Sequence, residues 1–259
     1  MISSLTTSAR FITNPHLFIA SFTHYLLFSR MLYFMQKNHA KNFLRTLQKA
    51  FTSPKRITSN KEPFKTLIST IISQNTADKN SAKAFENLSK QHQIIPEALA
   101  NAKTSKIEEC LKVAGLYRNK AKTIKKVSKI IMKEFHGKLT PILSMPLEKA
   151  RKTLLRFPGV GPKTADVFLL FCANKPTIPV DTHVNRVSKR LGIAPRNGDY
   201  EAVRKSLQAL YNPKDYLAVH VLLILLGRKY CRARNPLCSQ CPLNMFCPSS
   251  KVLRKITES

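Results

Sequence analysis

Two residues in this chain have the type and placement to do covalent chemistry together. Lys163 follows the turn Pro158-Gly159-Val160-Gly161-Pro162, and Asp181 opens the run Asp181-Thr182-His183, eighteen residues later. Glycines at i and i+2 let a tight turn take positive φ without a side-chain clash. Pro162 suits the first position of a helix, where its missing N–H is no loss. The N–H groups of Gly159, Gly161 and Lys163 would then point out of a helix start, which is an anion site. A lysine there faces the positive end of the helix dipole, which, with partial burial, is expected to lower its pKa. A neutral amine can attack a sugar carbon and form a Schiff base; the plainer reading of Lys163 is a solvated contact to phosphate. Asp181 is either an ordinary N-cap or a carboxylate held ionised to polarise an amine or a water.

A second group has metal-ligand spacing. Cys231, Cys238, Cys241 and Cys247 form C-x6-C-x2-C-x5-C, while Cys110 and Cys172 stand apart. Four thiols in so short a loop share a metal, and the clustering points to a reducing compartment rather than disulfides. Zinc is the generic occupant, but four-cysteine zinc sites usually show two close C-x2-C pairs, and only one is present. Cys110 and Cys172 read as buried apolar fillers.

The elements that position these groups are helical throughout. Phe43, Leu44, Leu47 and Phe51 define an amphipathic helix from Lys41, followed by a polar link over 53–61. Phe64, Leu67, Ile68, Ile71 and Ile72 define another face, which breaks at Ser73-Gln74-Asn75-Thr76. Thr76 or Asp78 is expected to cap the next helix, and Thr104 or Ser105, with Glu108 following, the one after residue 103. A helix from Lys120 to Phe135 turns Ala121, Ile124, Val127, Ile131 and Phe135 inward and sets Lys122, Lys125, Lys126, Lys129 and Lys133 on a solvated face. Pro146–Phe157 leads into the turn, Thr182–Leu191 follows Asp181, and helices at Tyr200–Leu210 and Tyr216–Leu226 lead to the cysteines. No strand or internal repeat is evident, so the fold class is all-α.

The chain carries 44 Lys and Arg against 14 Asp and Glu, a formal +30. That excess implies a polyanionic partner. Residues 16–35 are apolar enough to raise a membrane anchor. The run is broken by His16, His24 and Arg30, no small-residue cleavage site follows, and Met31 and Met35 offer later starts. Residues 1–36 are therefore read as an N-terminal extension, with no membrane association expected.

The runs FPGVGPKTA and PTIPVDTHVNRV, in that order, resemble the endonuclease III family of helix-hairpin-helix DNA glycosylases, over about residues 41–250. The resemblance implies two helical domains, a hairpin-bearing barrel over 61–175 and a cluster domain over 37–60 and 176–259, with a DNA groove between them. It implies base excision repair: removal of oxidised pyrimidines from double-stranded DNA and β-elimination at the abasic site. Lys163 would be the nucleophile and Asp181 its catalytic partner. The cysteine spacing is that of the family's [4Fe-4S] loop, so a cluster rather than zinc is expected, with a structural role and with Arg232, Arg234 and Lys229 near phosphates. The hairpin residues Gly159, Val160 and Gly161 would bind DNA. Gly115-Leu116-Tyr117-Arg118-Asn119-Lys120-Ala121 resembles the family loop whose leucine wedges beside the orphaned base, here Leu116. The amide that fills the flipped-nucleotide gap is Gln74 in one register and Asn75 in another. The related adenine glycosylases lack a lysine at position 163. The expected protein is a monomer working on DNA in the cytoplasm or nucleoid. A non-catalytic DNA-binding module with a zinc loop is the rival.

Overall fold

A computed structural model describes residues 37–51 and 62–250. The apolar run 16–35 and the polar link 53–61 lie outside them. Every regular element described is helical, with no strand among them. Helix α1 occupies 37–50. There follow α2 (Pro63–Ser73), α3 (Asp78–Gln91), α4 (Pro96–Asn101), α5 (Thr104–Leu111), α6 (Tyr117–Phe135), α7 (Thr140–Ser144), α8 (Leu147–Leu155), α9 (Pro162–Ala173), α10 (Thr182–Arg190), α11 (Tyr200–Leu210) and α12 (Tyr216–Lys229). Short 3-10 turns punctuate the cysteine loop at Cys238–Gln240 and Asn244–Phe246.

Apolar spacing decides how these helices pack. Leu67, Ile68, Ile71 and Ile72 of α2, Ile124, Val127 and Ile131 of α6, and Phe168 and Leu169 of α9 are all fully buried in one core. A second core takes Phe43 and Leu47 of α1, Val184 and Val187 of α10, Val203 and Leu207 of α11, and Leu222, Leu223 and Leu226 of α12. Helices α9 and α12 are apolar on nearly every side and are accordingly enclosed. Cys110 and Cys172 sit inside the first core, and burial pushes the Cys172 thiol up to about 11. Lys163 thus starts a helix of the first core and Asp181 starts a helix of the second.

Two expected caps are not used. Helix α3 begins after Ala77, and α5 after Lys103, without side-chain caps. The Thr76 hydroxyl is drawn instead to the Ala114 carbonyl, and Asp78 pairs with Arg228 of α12 at 2.9 Å. Before α3, long-range partners outcompete the local amides.

The seam between the cores is polar and organised by Asp166, which is fully buried on α9. Its Oδ1 accepts from Arg151 Nε at 2.9 Å and Thr177 Oγ1 at 3.0 Å, and its Oδ2 accepts from the Tyr200 hydroxyl at 2.7 Å. Arg151, itself buried, also contacts Glu201, which in turn pairs with Arg204. Burial works against the Glu201 carboxylate, but hydrogen bonds and charge from Arg151 and Arg204 prevail and lower its pKa. Tyr200 is held protonated, its pKa raised first by burial and then by the Asp166 charge.

Removing one member of a buried ion pair leaves the other desolvated and unpaired. Asp166→Ala is expected to lower unfolding stability by about 3–5 kcal/mol, read from chemical denaturation with the cluster intact. A loss under about 1 kcal/mol would show that the seam does not depend on this carboxylate.

Candidate active site and iron–sulfur centre

The hairpin is built by backbone geometry. Phe157 N donates to Leu154 O, and Val160 N donates to Phe157 O, each at 3.0 Å. Gly159 has φ +71°, and a Cβ there would lie 2.7 Å from Thr123 Cγ2, so only glycine fits. Val160 turns its side chain into the core. Gly161 precedes α9 with no side-chain cap, and nothing lies within 4 Å of where its Cβ would be. The amides of Gly159, Gly161 and Lys163 take no hydrogen bond within the described residues. The open end of this 12-residue helix therefore presents N–H groups and positive dipole to whatever approaches. Lys163, half-buried, sits in that first turn.

Gln74, at the end of α2, reaches back to this hairpin. Its Nε2 donates to Gly159 O at 2.8 Å and to Thr164 Oγ1 at 3.0 Å. Asn75 is exposed and left-handed, with φ +51°. The two amides therefore differ in kind: one holds the hairpin, the other is free.

Asp181 caps α10, its Oδ1 accepting from Val184 N at 2.7 Å. Its Oδ2 takes no hydrogen bond within the described residues, so capping and chemistry are compatible. The preceding residues are fixed by two side chains that the sequence analysis did not single out. Val180 N donates to the Tyr200 hydroxyl at 3.3 Å, and His220 of α12 donates from Nδ1 to Pro179 O at 2.9 Å. The carbonyl only accepts, so this bond fixes the tautomer. His220 is buried, and burial lowers its pKa; the Asp181 charge opposes that shift and the Lys163 charge adds to it. The charges of Lys163 and Asp181 thus act in opposite senses on one buried ring, although their helices belong to different cores. A lone histidine in a very apolar helix was the available signal.

The four loop cysteines line a single cavity of about 50 Å³. No three His, Cys, Asp or Glu side chains among the described residues converge as ligands of one ion. Four thiols around a common space are the donor set of an iron–sulfur cluster. Burial pushes the Cys241 thiol up to about 11, and the neighbouring cysteines add to the shift; a bound metal would stabilise the thiolate form. When bound, a [4Fe-4S] group would supply four iron–thiolate links that cross-link residues 231–247.

Two arginines of α10 hold that loop. Arg190 donates to Arg232 O at 2.7 Å, Ala233 O at 3.1 Å and Cys231 Sγ at 3.4 Å, and its own carbonyl accepts from Cys247 Sγ at 3.4 Å. Arg186 donates to Cys231 O at 2.9 Å and Gly227 O at 3.2 Å. Their i, i+4 spacing placed them on one helix face and was legible; their target was not. Arg232 and Arg234 project from the loop exposed. Lys229 lies over the Tyr230 and Phe51 rings, its Nζ 5.1 and 5.9 Å from their centroids. Leu116 is 61% exposed and left-handed, with φ +47°. No helix of the described residues is long and apolar enough to cross a membrane.

A helix-hairpin-helix presenting a lysine, an aspartate across a seam of two helical cores, and a four-cysteine loop define a base-excision DNA glycosylase. Residues 68–213 match the HhH-GPD superfamily of base excision DNA repair proteins, and residues 231–247 match the iron-sulfur binding domain of endonuclease III. Endonuclease III of Sulfolobus acidocaldarius is 34% identical over 201 residues, covering 77% of this chain and 88% of that protein. The Thermotoga maritima enzyme is 36% identical over 186 residues, covering 72% and 83%. A solved endonuclease III–DNA covalent intermediate superimposes with a TM-score of 0.74 at 30% identity, over 84% of this chain and 98% of that one. The chain belongs to the endonuclease III family; it is a DNA-binding glycosylase with lyase activity and a [4Fe-4S] centre.

Two predictions come from these contacts. His220 has a folded pKa below its unfolded value of about 6.5, so the unfolded chain binds the extra proton as the solution acidifies. Stability is intact above about pH 6.5 and falls below it. Thermal unfolding between pH 7.5 and 5 should show that slope in wild type and a shallower one in His220→Gln; equal slopes would remove His220 as the cause. Arg190→Leu deletes three donors to the cluster loop and is expected to speed bleaching of the visible iron–sulfur absorbance in the presence of a chelator. Bleaching at the wild-type rate would show that Arg190 does not secure the loop.

Proposed function

We propose that this enzyme excises oxidised pyrimidines from duplex DNA with Lys163 as nucleophile, and then nicks the strand by β-elimination. It would act as a monomer on cytoplasmic or nucleoid DNA, through two domains, 61–175 and 37–60 with 176–259, that meet along the Asp166 seam. The observation that carries this reading is the placement of the two groups: one amine in an open helix start and one carboxylate with an oxygen left over from capping, on segments joined by the hydrogen bonds from Val180 N to Tyr200 and from Tyr200 to Asp166 of the lysine helix.

Chemistry follows from those placements. The unbonded amides of Gly159 and Gly161 bind backbone phosphate, as an uncapped helix start does, and Arg232 and Arg234 add charge from the cluster loop. The damaged nucleotide swings out of the stack. Leu116 wedges beside the orphaned base, and Asn75 rather than Gln74 enters the gap, because Gln74 is already committed to the hairpin. Asp181 Oδ2 accepts a proton from Lys163, freeing its lone pair. Lys163 Nζ bonds to C1′ while the C1′–N bond breaks and its electron pair leaves with the base, which takes up a proton. A proton passes from Nζ to O4′ as the C1′–O4′ bond breaks, and ring opening gives a protonated imine between Lys163 and C1′. Loss of a C2′ proton then expels the 3′ oxygen with its phosphate. Water adds to C1′, and the C1′–Nζ bond breaks to restore the lysine. The proton taken up by the base is the one Asp181 received, and the carboxylate so restored stabilises the positive charge on the sugar and imine.

Borohydride reduces the imine to a stable amine, so wild type mixed with an abasic duplex should yield a protein–DNA adduct. Lys163→Ala should yield none, and Asp181→Asn should lower base release by about 10²–10⁴-fold while still binding the duplex. An undiminished adduct from Lys163→Ala would falsify the nucleophile assignment. Parallel duplexes carrying an oxidised pyrimidine or an oxidised purine test the substrate class, and preferential release of the purine would overturn it.

A further inference from the structure

Lys120 is the one part of the helix 117–135 that behaves against its type. It is a lysine only 5% exposed, while the other lysines of that helix are exposed or half-buried. No carboxylate pairs with it among the described residues. Its Nζ donates to the Ala114 carbonyl at 2.8 Å and to the Thr76 hydroxyl. The Thr76 hydroxyl also contacts Ala114 O and Gln74 O, the latter at 3.1 Å. Burial alone drives the ammonium's pKa down. A buried cation without a counter-charge is a poor stability device, since an apolar side chain of equal length would avoid its desolvation.

What the knot joins explains the cost. One side is the loop after α2, whose tip is the exposed, left-handed Asn75. The other is the turn before α6, whose tip is Leu116, exposed and left-handed after Gly115 at φ +60°. A leucine in that region is strained, and an exposed apolar tip gains nothing from folding. The two loops lie 38 residues apart in sequence and meet through Thr76, Ala114 and Lys120.

We propose that Lys120 is a positioning residue that locks the two loops into one rigid wedge, so that Asn75 and Leu116 enter the duplex together and hold the target nucleotide out. Lys120 touches neither substrate nor the reacting atoms. The clamp rests on the reading of Asn75 and Leu116 as inserting tips. It matters where the enzyme must break pairing and support an estranged base, and much less where no base stands opposite the lesion.

The test compares one oxidised pyrimidine in two duplexes, opposite its complementary base and opposite a stable abasic analogue. Lys120→Met keeps the chain length and removes the donors. It is expected to lose on the order of tenfold to a hundredfold in kcat/KM on the paired duplex, to stay within about threefold on the duplex with no opposing base, and to retain full borohydride trapping at an open abasic site. Thr76→Val removes the bridging hydroxyl but leaves Lys120 on Ala114, and should show the same selectivity with a smaller loss. It carries the test if Lys120→Met fails to fold. Equal losses on both duplexes in the folded variants, or no loss on either, would overturn the clamp. Failure of wild type to form any trapped adduct would instead strike the lysine mechanism, so the two ideas fall separately.

Discussion

The geometry between the catalytic candidates depends on one buried carboxylate. Asp166 lies three residues after Lys163 on the same helix, and it is reached by the Tyr200 hydroxyl, which is in turn the acceptor for Val180 N, one residue before Asp181. The path from the lysine helix to the aspartate segment is therefore two hydrogen bonds long and enclosed. A fully buried carboxylate tolerates no loose arrangement around it: both oxygens must be met, and Arg151, Thr177 and Tyr200 meet them. Rigid placement of this kind is what a covalent mechanism needs, because reacting groups misplaced by about 1 Å lose large factors in rate.

Helix α10 connects that centre to the cysteine loop. Its first residue follows the Asp181 cap, and its last, Arg190, grips two loop carbonyls. Midway, Arg186 reaches the Gly227 and Cys231 carbonyls. Gly227 has no room for a side chain, since a Cβ would lie 2.9 Å from the His183 ring. With iron bound, the four thiolate links would cross-link the loop where α10 already grips it, between the exposed Arg232 and Arg234 and the carbonyls that Arg186 and Arg190 hold.

The charge of the chain has two distinct uses. Most of the excess Lys and Arg lies on the surface, where it draws the enzyme to a polyanion and is screened by salt. Among the described residues three such cations are spent inside: Arg151 and Arg204 in the seam and Lys120 between the two loop tips. These are costly placements that fix relations between elements, and composition alone does not distinguish them from the solvated majority.

The amino-acid sequence by itself determined what is local. A proline and two glycines around Lys163, an aspartate opening a helix, four cysteines in one short loop and helical apolar spacing all act within a turn or two of chain. Neighbour sterics and capping settle them before any long-range packing. The tertiary structure alone decided which side chains meet from afar. Gln74 is read as a hairpin brace rather than a gap filler because its partner Gly159 is 85 residues distant. His220 meets the Pro179 carbonyl, two residues before Asp181, because an apolar helix 41 residues further along the chain packs there. Thr76 abandons its cap for a carbonyl 38 residues away because that carbonyl is buried and must be satisfied. Periodicity marks which face of a helix is inward; which atom waits on the other side is a property of the assembled core.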